Sequence, residues 1–168
     1  INLLAAQYAK TEAKVSGAKT SFKTYVGCRQ GAQESPLIFN VYLDYVLRIC
    51  LEEIKNLDAG ININYRIANE SSTRMQRRNG PLHGIYNLGM LLYADDLIVF
   101  ARNPTILQKI LEVYDRNFKR FGLNISVKKT KTMLYNYPEE ELLKKSVVTL
   151  DNAHLENVRT FTYLGYLL

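Results

Sequence analysis

The sequence predicts an α+β chain with antiparallel strands and two long helices. Three observations carry this expectation. Leu91-Leu92-Tyr93-Ala94-Asp95-Asp96-Leu97-Ile98-Val99-Phe100 sets two apolar runs around a two-residue acidic break, the pattern of a tight hairpin between buried strands. Pro36–Leu57 and Pro104–Phe121 repeat apolar residues at helical spacing, each behind a residue that caps and a proline that starts a helix. Ile61, Ile63, Tyr65 and Ile67 alternate with polar residues, as a half-exposed strand does.

In chain order, residues 1–9 read as the end of a helix, with Leu3, Leu4 and Tyr8 on one face. Ile1-Asn2-Leu3-Leu4 is already amphipathic and has no starting methionine, so an upstream segment is expected. Val15–Gly17 and Phe22–Val26 read as short strands about a turn at Gly17. Gly27-Cys28-Arg29-Gln30-Gly31-Ala32-Gln33-Glu34-Ser35-Pro36 follows, with two glycines that let the backbone bend and approach a ligand. Ser35 offers a capping hydroxyl and Pro36 the first helical position. Leu37, Val41, Val46, Ile49, Cys50 and Ile54 form the apolar stripe of that helix. A helix N-terminus behind such a loop, with Arg29 and Gln30 on it, is a cradle for phosphate, although most glycine-rich turns before helices are only turns.

Asn69–Pro81 shifts to Ser, Thr, Arg, Asn and Gly and reads as an exposed loop, where Arg74, Arg77 and Arg78 are a solvated run or a backbone contact for nucleic acid. His83 and His154 have no second ligand at metal spacing. The helix from Pro104 presents Ile106, Leu107, Ile110, Leu111, Tyr114, Phe118 and Phe121 on one face and stops at Gly122. Lys128, Lys129 and Lys131 then lead into a strand ending at Tyr135, suited to phosphate charge or to an ordinary surface. Pro138–Lys145 reads as a short helix, and Val147–Leu150 and Thr160–Leu168 as β-rich.

With 168 residues, 47% of them hydrophobic, the chain is one domain or part of one. Its net charge of +6 favours a polyanionic partner. Cys28 and Cys50 lack CxxC spacing and are expected as reduced thiols of an intracellular protein, nuclear or cytoplasmic, with Cys50 in the core. No apolar run reaches a membrane span, and no membrane partner is expected.

Asp95 and Asp96 carry the chemistry. Adjacent like charges near a core raise each other's pKa and need a counter-charge; a divalent cation held by one or two carboxylates and substrate phosphates supplies it. Adjacent strand residues point to opposite faces, so one carboxylate faces the site directly. The plain alternative is a solvated Asp-Asp turn.

Tyr93-Ala94-Asp95-Asp96 between apolar runs resembles the active-site box of reverse transcriptases. Gly27-Cys28-Arg29-Gln30-Gly31 with Ser35-Pro36-Leu37-Ile38-Phe39-Asn40 resembles the preceding loop–helix motif. Gly122-Leu123 with Lys129-Thr130-Lys131 is similar to the motif after the box, and Phe161-Thr162-Tyr163-Leu164-Gly165 to the primer grip. The order and form of these motifs look most like LINE-type, non-LTR retrotransposons of the RTE-like branch. The resemblance implies a polymerase palm over 1–168, an antiparallel sheet with helices packed on one face, incomplete at its N-terminus and without fingers or thumb.

The implied reaction is RNA-templated DNA synthesis with an RNA template, a DNA primer and deoxynucleoside triphosphates. It would use two Mg²⁺ ions, or Mn²⁺, about 3.5–4 Å apart. By position, Asp95 and Asp96 are the catalytic metal ligands, Asp95 the direct one. Arg29, Gln30, Gly31, Ser35, Pro36, Phe39, Asn40 and Tyr93 would line nucleotide and template, with Lys129 near the triphosphate. Tyr163, Leu164 and Gly165 would grip the primer. Two departures stand out. The family's further metal-binding aspartate lies upstream of the Gly-rich loop, and residues 1–26 contain no aspartate. Ser126 stands where asparagine is common. The chain alone is therefore expected to be inactive. A non-catalytic nucleic-acid-binding remnant is the competing reading, and a plain α+β structural domain a third.

Overall fold

The computed structural model describes residues 5–6, 8–9, 11–25, 27–29, 31–65, 84–135 and 147–168. The segment Asn69–Pro81, His83, Gln30 and the expected helix Pro138–Lys145 lie outside the described residues, as do Leu3, Leu4 and Ile67. The architecture is mixed α+β. Its described strands form six two-stranded ladders, five antiparallel and one parallel. The chain divides into two compact units, residues 1–41 and 42–168, and the boundary falls within a continuous helix.

In the first unit, Ala5, Ala6 and Tyr8 are helical, as expected. Strand β1 (Thr11–Ala13) pairs antiparallel with β2 (Phe22–Thr24). Val15–Gly17, expected as a strand, is instead the start of the turn: the Ala18 amide donates to the Val15 carbonyl at 3.0 Å. Pairing moves back to Thr11, whose hydroxyl bonds the Thr24 carbonyl and accepts from the Thr24 hydroxyl at 2.7 Å. Helix α1 (Ser35–Ile54) follows.

In the second unit, α1 buries Leu43, Val46, Leu47, Cys50 and Ile54, a stripe at helical spacing. The expected stripe began earlier, but Leu37 and Val41 are 67% and 64% exposed. The apolar pattern continues toward the N-terminus after burial on the core has ended. A turn closed by the Leu57 amide on the Ile54 carbonyl, 2.8 Å, ends the helix. Strand β3 (Ile61–Tyr65) pairs antiparallel with β4 (Gly84–Leu88). Then β5 (Met90–Tyr93) and β6 (Asp96–Val99) form the central hairpin.

Helix α2 (Pro104–Arg120) begins as its sequence dictates: the Asn103 side chain accepts from the Ile106 amide at 2.9 Å, and Pro104 occupies the first turn. Ile110, Tyr114 and Phe118 are buried on it. Asn117, polar by sequence, is buried too: its amide donates to Glu53 of α1 at 2.9 Å and to the Val113 carbonyl at 3.0 Å. Arg116 binds the other oxygen of the same carboxylate. Near the end of α2, Tyr42 and Tyr45 of α1 meet the Phe121 ring edge-on, and the Tyr42 hydroxyl donates to its carbonyl at 2.6 Å.

Beyond α2 come β7 (Lys131–Thr132), β8 (Thr149–Leu150), β9 (Ala153–His154) and β10 (Glu156–Asn157). Strands β8 and β9 pair antiparallel, and β10 lies parallel to β7. Val148, Leu150 and Leu155 make a second small core against Leu107, Leu111, Ile125 and Val127. The last hairpin joins β11 (Thr162–Tyr163) to β12 (Tyr166–Leu167). Asp151-Asn152 and Leu164-Gly165 all take positive φ, the backbone of two-residue hairpin turns whose twist matches the strands. Among the described residues, no helix is long and apolar enough to cross a membrane.

Candidate functional site

The hairpin that carries the acidic pair turns one residue earlier than expected. Tyr93 pairs with Asp96, so the two turn residues are Ala94 and Asp95 rather than Asp95 and Asp96. Ala94 takes φ 53°, and Asp95 is not in the left-handed region. Asp96 is thus the first residue of β6. The strands are not enclosed on both faces either. Leu91, Leu92 and Tyr93 are exposed, Tyr93 by 64%, and among the described residues the hairpin is a ladder of two strands. Both carboxylates are exposed, which removes the desolvation cost anticipated for a pair in the core.

Asp95 and Asp96 stand at a cleft of about 510 Å³ within the second unit. Its floor is Ile110, Tyr114 and Phe118 of α2, and its walls include Lys129, Lys131 and Tyr163. Three segments far apart in sequence therefore converge: the acidic hairpin, the lysine turn and the last hairpin. Lys131 is paired with Glu156 of β10. Lys129, Asp95 and Asp96 have no ion pair among the described residues. Among the described residues, the cleft thus holds two carboxylates and one ammonium without an ion pair, complementary to a cation and to an anion respectively.

Lys129 sits in a turn built by backbone. The Ser126 carbonyl accepts from the Lys129 amide at 3.1 Å, the Thr130 amide at 2.9 Å and the Thr130 hydroxyl at 2.8 Å. Any residue at position 126 supplies that carbonyl, so serine in place of asparagine leaves these bonds intact. Of the expected primer-grip residues, Tyr163 lines the cleft, while Leu164 and Gly165 form the tip of the adjoining turn. Tyr93 is not among the residues that line the cleft. Sequence reasoning missed the floor residues as site components, since their helical spacing marks them as core whether or not a cleft opens above them.

The remaining candidates belong to the first unit. Ser35 was expected to cap α1, but the Ile38 amide donates to the Glu34 carbonyl at 3.0 Å, and Ser35 is the first helical residue. Its buried hydroxyl instead donates to the Arg29 carbonyl at 2.7 Å and meets the Tyr8 hydroxyl at 3.1 Å. The Arg29 guanidinium lies over the Tyr8 ring, 5.8 Å from its centre. Loop and helix start are thereby stitched together through Tyr8, which the sequence marks only as part of a helix face. Gly31, Pro36 and Asn40 are exposed and Phe39 is half-buried.

An acidic hairpin, a lysine turn and a final hairpin around one cleft agree with the comparison to known families: residues 2–168 match the family described as reverse transcriptase (RNA-dependent DNA polymerase). The chain belongs to the reverse transcriptase family. It is also 29% identical over 107 residues to the retrovirus-related Pol polyprotein from type-1 retrotransposable element R2 of Nasonia vitripennis. That match covers 64% of this chain and 8% of the relative, so the chain spans a small part of the polyprotein it resembles. The similarity supports the LINE-type, non-LTR character of the motifs. No solved structure matches the chain.

Members of this family use divalent metal ions, and the acidic pair fits one. It offers two adjacent, oxygen-only, unneutralised donors open to the cleft, a set suited to a hard cation. Among the described residues, no group of three or more His, Cys, Asp or Glu side chains is placed to hold a metal.

Proposed function

We propose that this chain forms the palm of a LINE-type reverse transcriptase of the RTE-like branch, and that within a longer polymerase it carries out RNA-templated DNA synthesis. The observation that supports this best is the meeting of Asp95, Asp96, Lys129 and Tyr163 at one cleft in a chain of this family. The substrates are an RNA template, a DNA primer and deoxynucleoside triphosphates. Asp95 and Asp96, with a further carboxylate, would hold two Mg²⁺ ions, which would supply Lewis acidity for the nucleotidyl transfer.

The chain's own residues do the rest. Asp95, on the turn, faces the reacting groups, and Asp96 supports it from the strand. Lys129 neutralises charge on the triphosphate; as a mobile ammonium it follows that charge onto the leaving pyrophosphate. Tyr163 orients the primer end, with Leu164 and Gly165 shaping the turn that carries it. Arg29, Gln30 and Gly31 border nucleotide and template, backed by Ser35, Pro36, Phe39 and Asn40. Alone, the 168 residues bind nucleic acid but do not extend a primer, because two carboxylates under-supply a pair of metal ions.

The test is primer extension on an RNA template with Mg²⁺, run on the longer polymerase containing this chain and on its Asp95→Asn variant. Binding to the primer–template is read in parallel. The parent extends; the variant loses extension and keeps binding. Extension that survives Asp95→Asn refutes the assignment.

A further inference from the structure

We propose that Thr130 is a positioning residue for Lys129, its hydroxyl fastening the turn that holds the lysine at the wall of the acidic cleft. The inference rests on the role given to Lys129 above and adds a residue to it. Lys129 is exposed, and its side chain has no ion pair among the described residues to fix its place. Its position therefore depends on its backbone. That backbone is tied at one point, the Ser126 carbonyl, which accepts three hydrogen bonds. Two come from amides that any sequence supplies. The third, from the Thr130 hydroxyl at 2.8 Å, is the only side-chain bond among them. A carbonyl has two lone pairs, so three donors share it, and the hydroxyl restricts its direction as well as adding attraction.

Immediately downstream the chain is anchored again. Lys131 is paired with Glu156, and β7 is paired with β10. The turn is thus anchored at both ends, by β7 on its C-terminal side and by the packing of Ile125 and Val127 on the small core on its N-terminal side, and between them the threonine hydroxyl supplies a side-chain hydrogen bond within the turn itself. Releasing it loosens the turn between its two anchored ends, so the ammonium spends less time at the cleft. A flexible lysine then loses more conformational freedom when a triphosphate binds.

The test uses the longer polymerase containing this chain and thymidine triphosphate with Mg²⁺, titrated by calorimetry, with thymidine as the phosphate-free control. Lys129→Ala weakens triphosphate binding about tenfold or more, the worth of a charge-assisted contact. Thr130→Val, which keeps the branched shape and loses the hydroxyl, weakens it about fivefold. Thr130→Ser restores the parent affinity, and none of the variants changes thymidine binding. A merely structural threonine would fail to separate triphosphate from nucleoside. If Lys129→Ala weakens binding and Thr130→Val does not, the inference is overturned and the role of Lys129 stands. If neither Lys129→Ala nor Thr130→Val has an effect, or the parent does not bind, the role of Lys129 fails and the inference fails with it.

Discussion

Gln108 of α2 acts as a one-residue strand. Its side-chain oxygen accepts from the Thr149 amide at 2.7 Å, and its side-chain nitrogen donates to the Thr149 carbonyl at 3.3 Å. Through these two bonds β8 is fastened to α2 beside the small core of Val148, Leu150 and Leu155, two of whose members also line the acidic cleft. Gln108→Leu keeps length and apolar bulk while removing both bonds. One short and one long part-buried bond contribute about 0.5–1.5 kcal/mol each, and a strand amide left without a partner adds to the loss, so about 1.5–3 kcal/mol is expected. The further bond from Gln108 to Glu112, one turn away on the exposed face, adds little. For a chain of this size that loss lowers Tm by roughly 3–12 °C.

The assay is urea denaturation followed by far-ultraviolet circular dichroism. The midpoint should fall with the slope unchanged, the mark of altered stability rather than altered compactness. Gln108→Glu sharpens the test. Ionised, it retains the acceptor for the Thr149 amide but sets a charge against the Thr149 carbonyl and Glu112. Once protonated, below about pH 4, it regains a donor and recovers part of the deficit. A Gln108→Leu variant within about 0.5 kcal/mol of the parent would refute the reasoning, since that is the ordinary spread of surface substitutions.

Gly60→Ala should destabilise by about 2–4 kcal/mol in the same denaturation assay. Gly60 has φ +86°, and an added Cβ would meet the Asn87 side-chain oxygen at 2.5 Å and the Leu88 carbonyl oxygen at 2.8 Å. Thiol labelling of the native chain should modify exposed Cys28 and spare Cys50, with both reacting after denaturation. Burial, reinforced by Glu53, pushes the Cys50 thiol up to about 11 from its ordinary 9.0. The folded state therefore holds its proton more tightly, and stability present below that ordinary value is lost as pH rises toward the folded one. Cys50→Ala should reduce this alkaline slope in urea midpoints measured across that range, leaving the part that buried Tyr114, raised from 10.0 to about 12, contributes toward its upper end. Glu53 shows the opposite sign: the hydrogen bond from Asn117, then Arg116, holds its carboxyl below the ordinary 4.5. Its contribution is present above that value and disappears as pH falls through the folded one, so Glu53→Gln should flatten the acid limb of a stability–pH profile.

Features decided within a few residues are legible in the sequence. Asn103, Pro104 and Gly122 bound α2 correctly because capping, proline geometry and helix termination act within one turn. The hairpin around Asp95 and Asp96 is legible for the same reason. Its turn falls one residue earlier than the acidic pair suggests because Ala94, not an aspartate, takes the left-handed conformation. Asp151-Asn152 is a turn signal of the same local kind, just beyond the stretch Val147–Leu150 whose β character alone stood out.

Other features needed the whole fold. Helical periodicity marks an apolar stripe from Leu37 onward, but only the packing of α1 in the second unit decided that burial starts at Leu43. The Ser35 hydroxyl has the chemistry of a cap, yet a longer-range partner, the Arg29 carbonyl backed by Tyr8, competes for it. Nothing near Asn117 in sequence announces that its partner is Glu53, on another helix. The sequence by itself determined which side chains are able to hold a cation or meet a phosphate. Only the tertiary structure decided that Asp95, Asp96, Lys129 and Tyr163 border one cleft. That outcome depends on pairings such as β7 with β10, between residues about 25 apart, and such contacts form only when burial elsewhere outweighs the entropy of closing the loop between them.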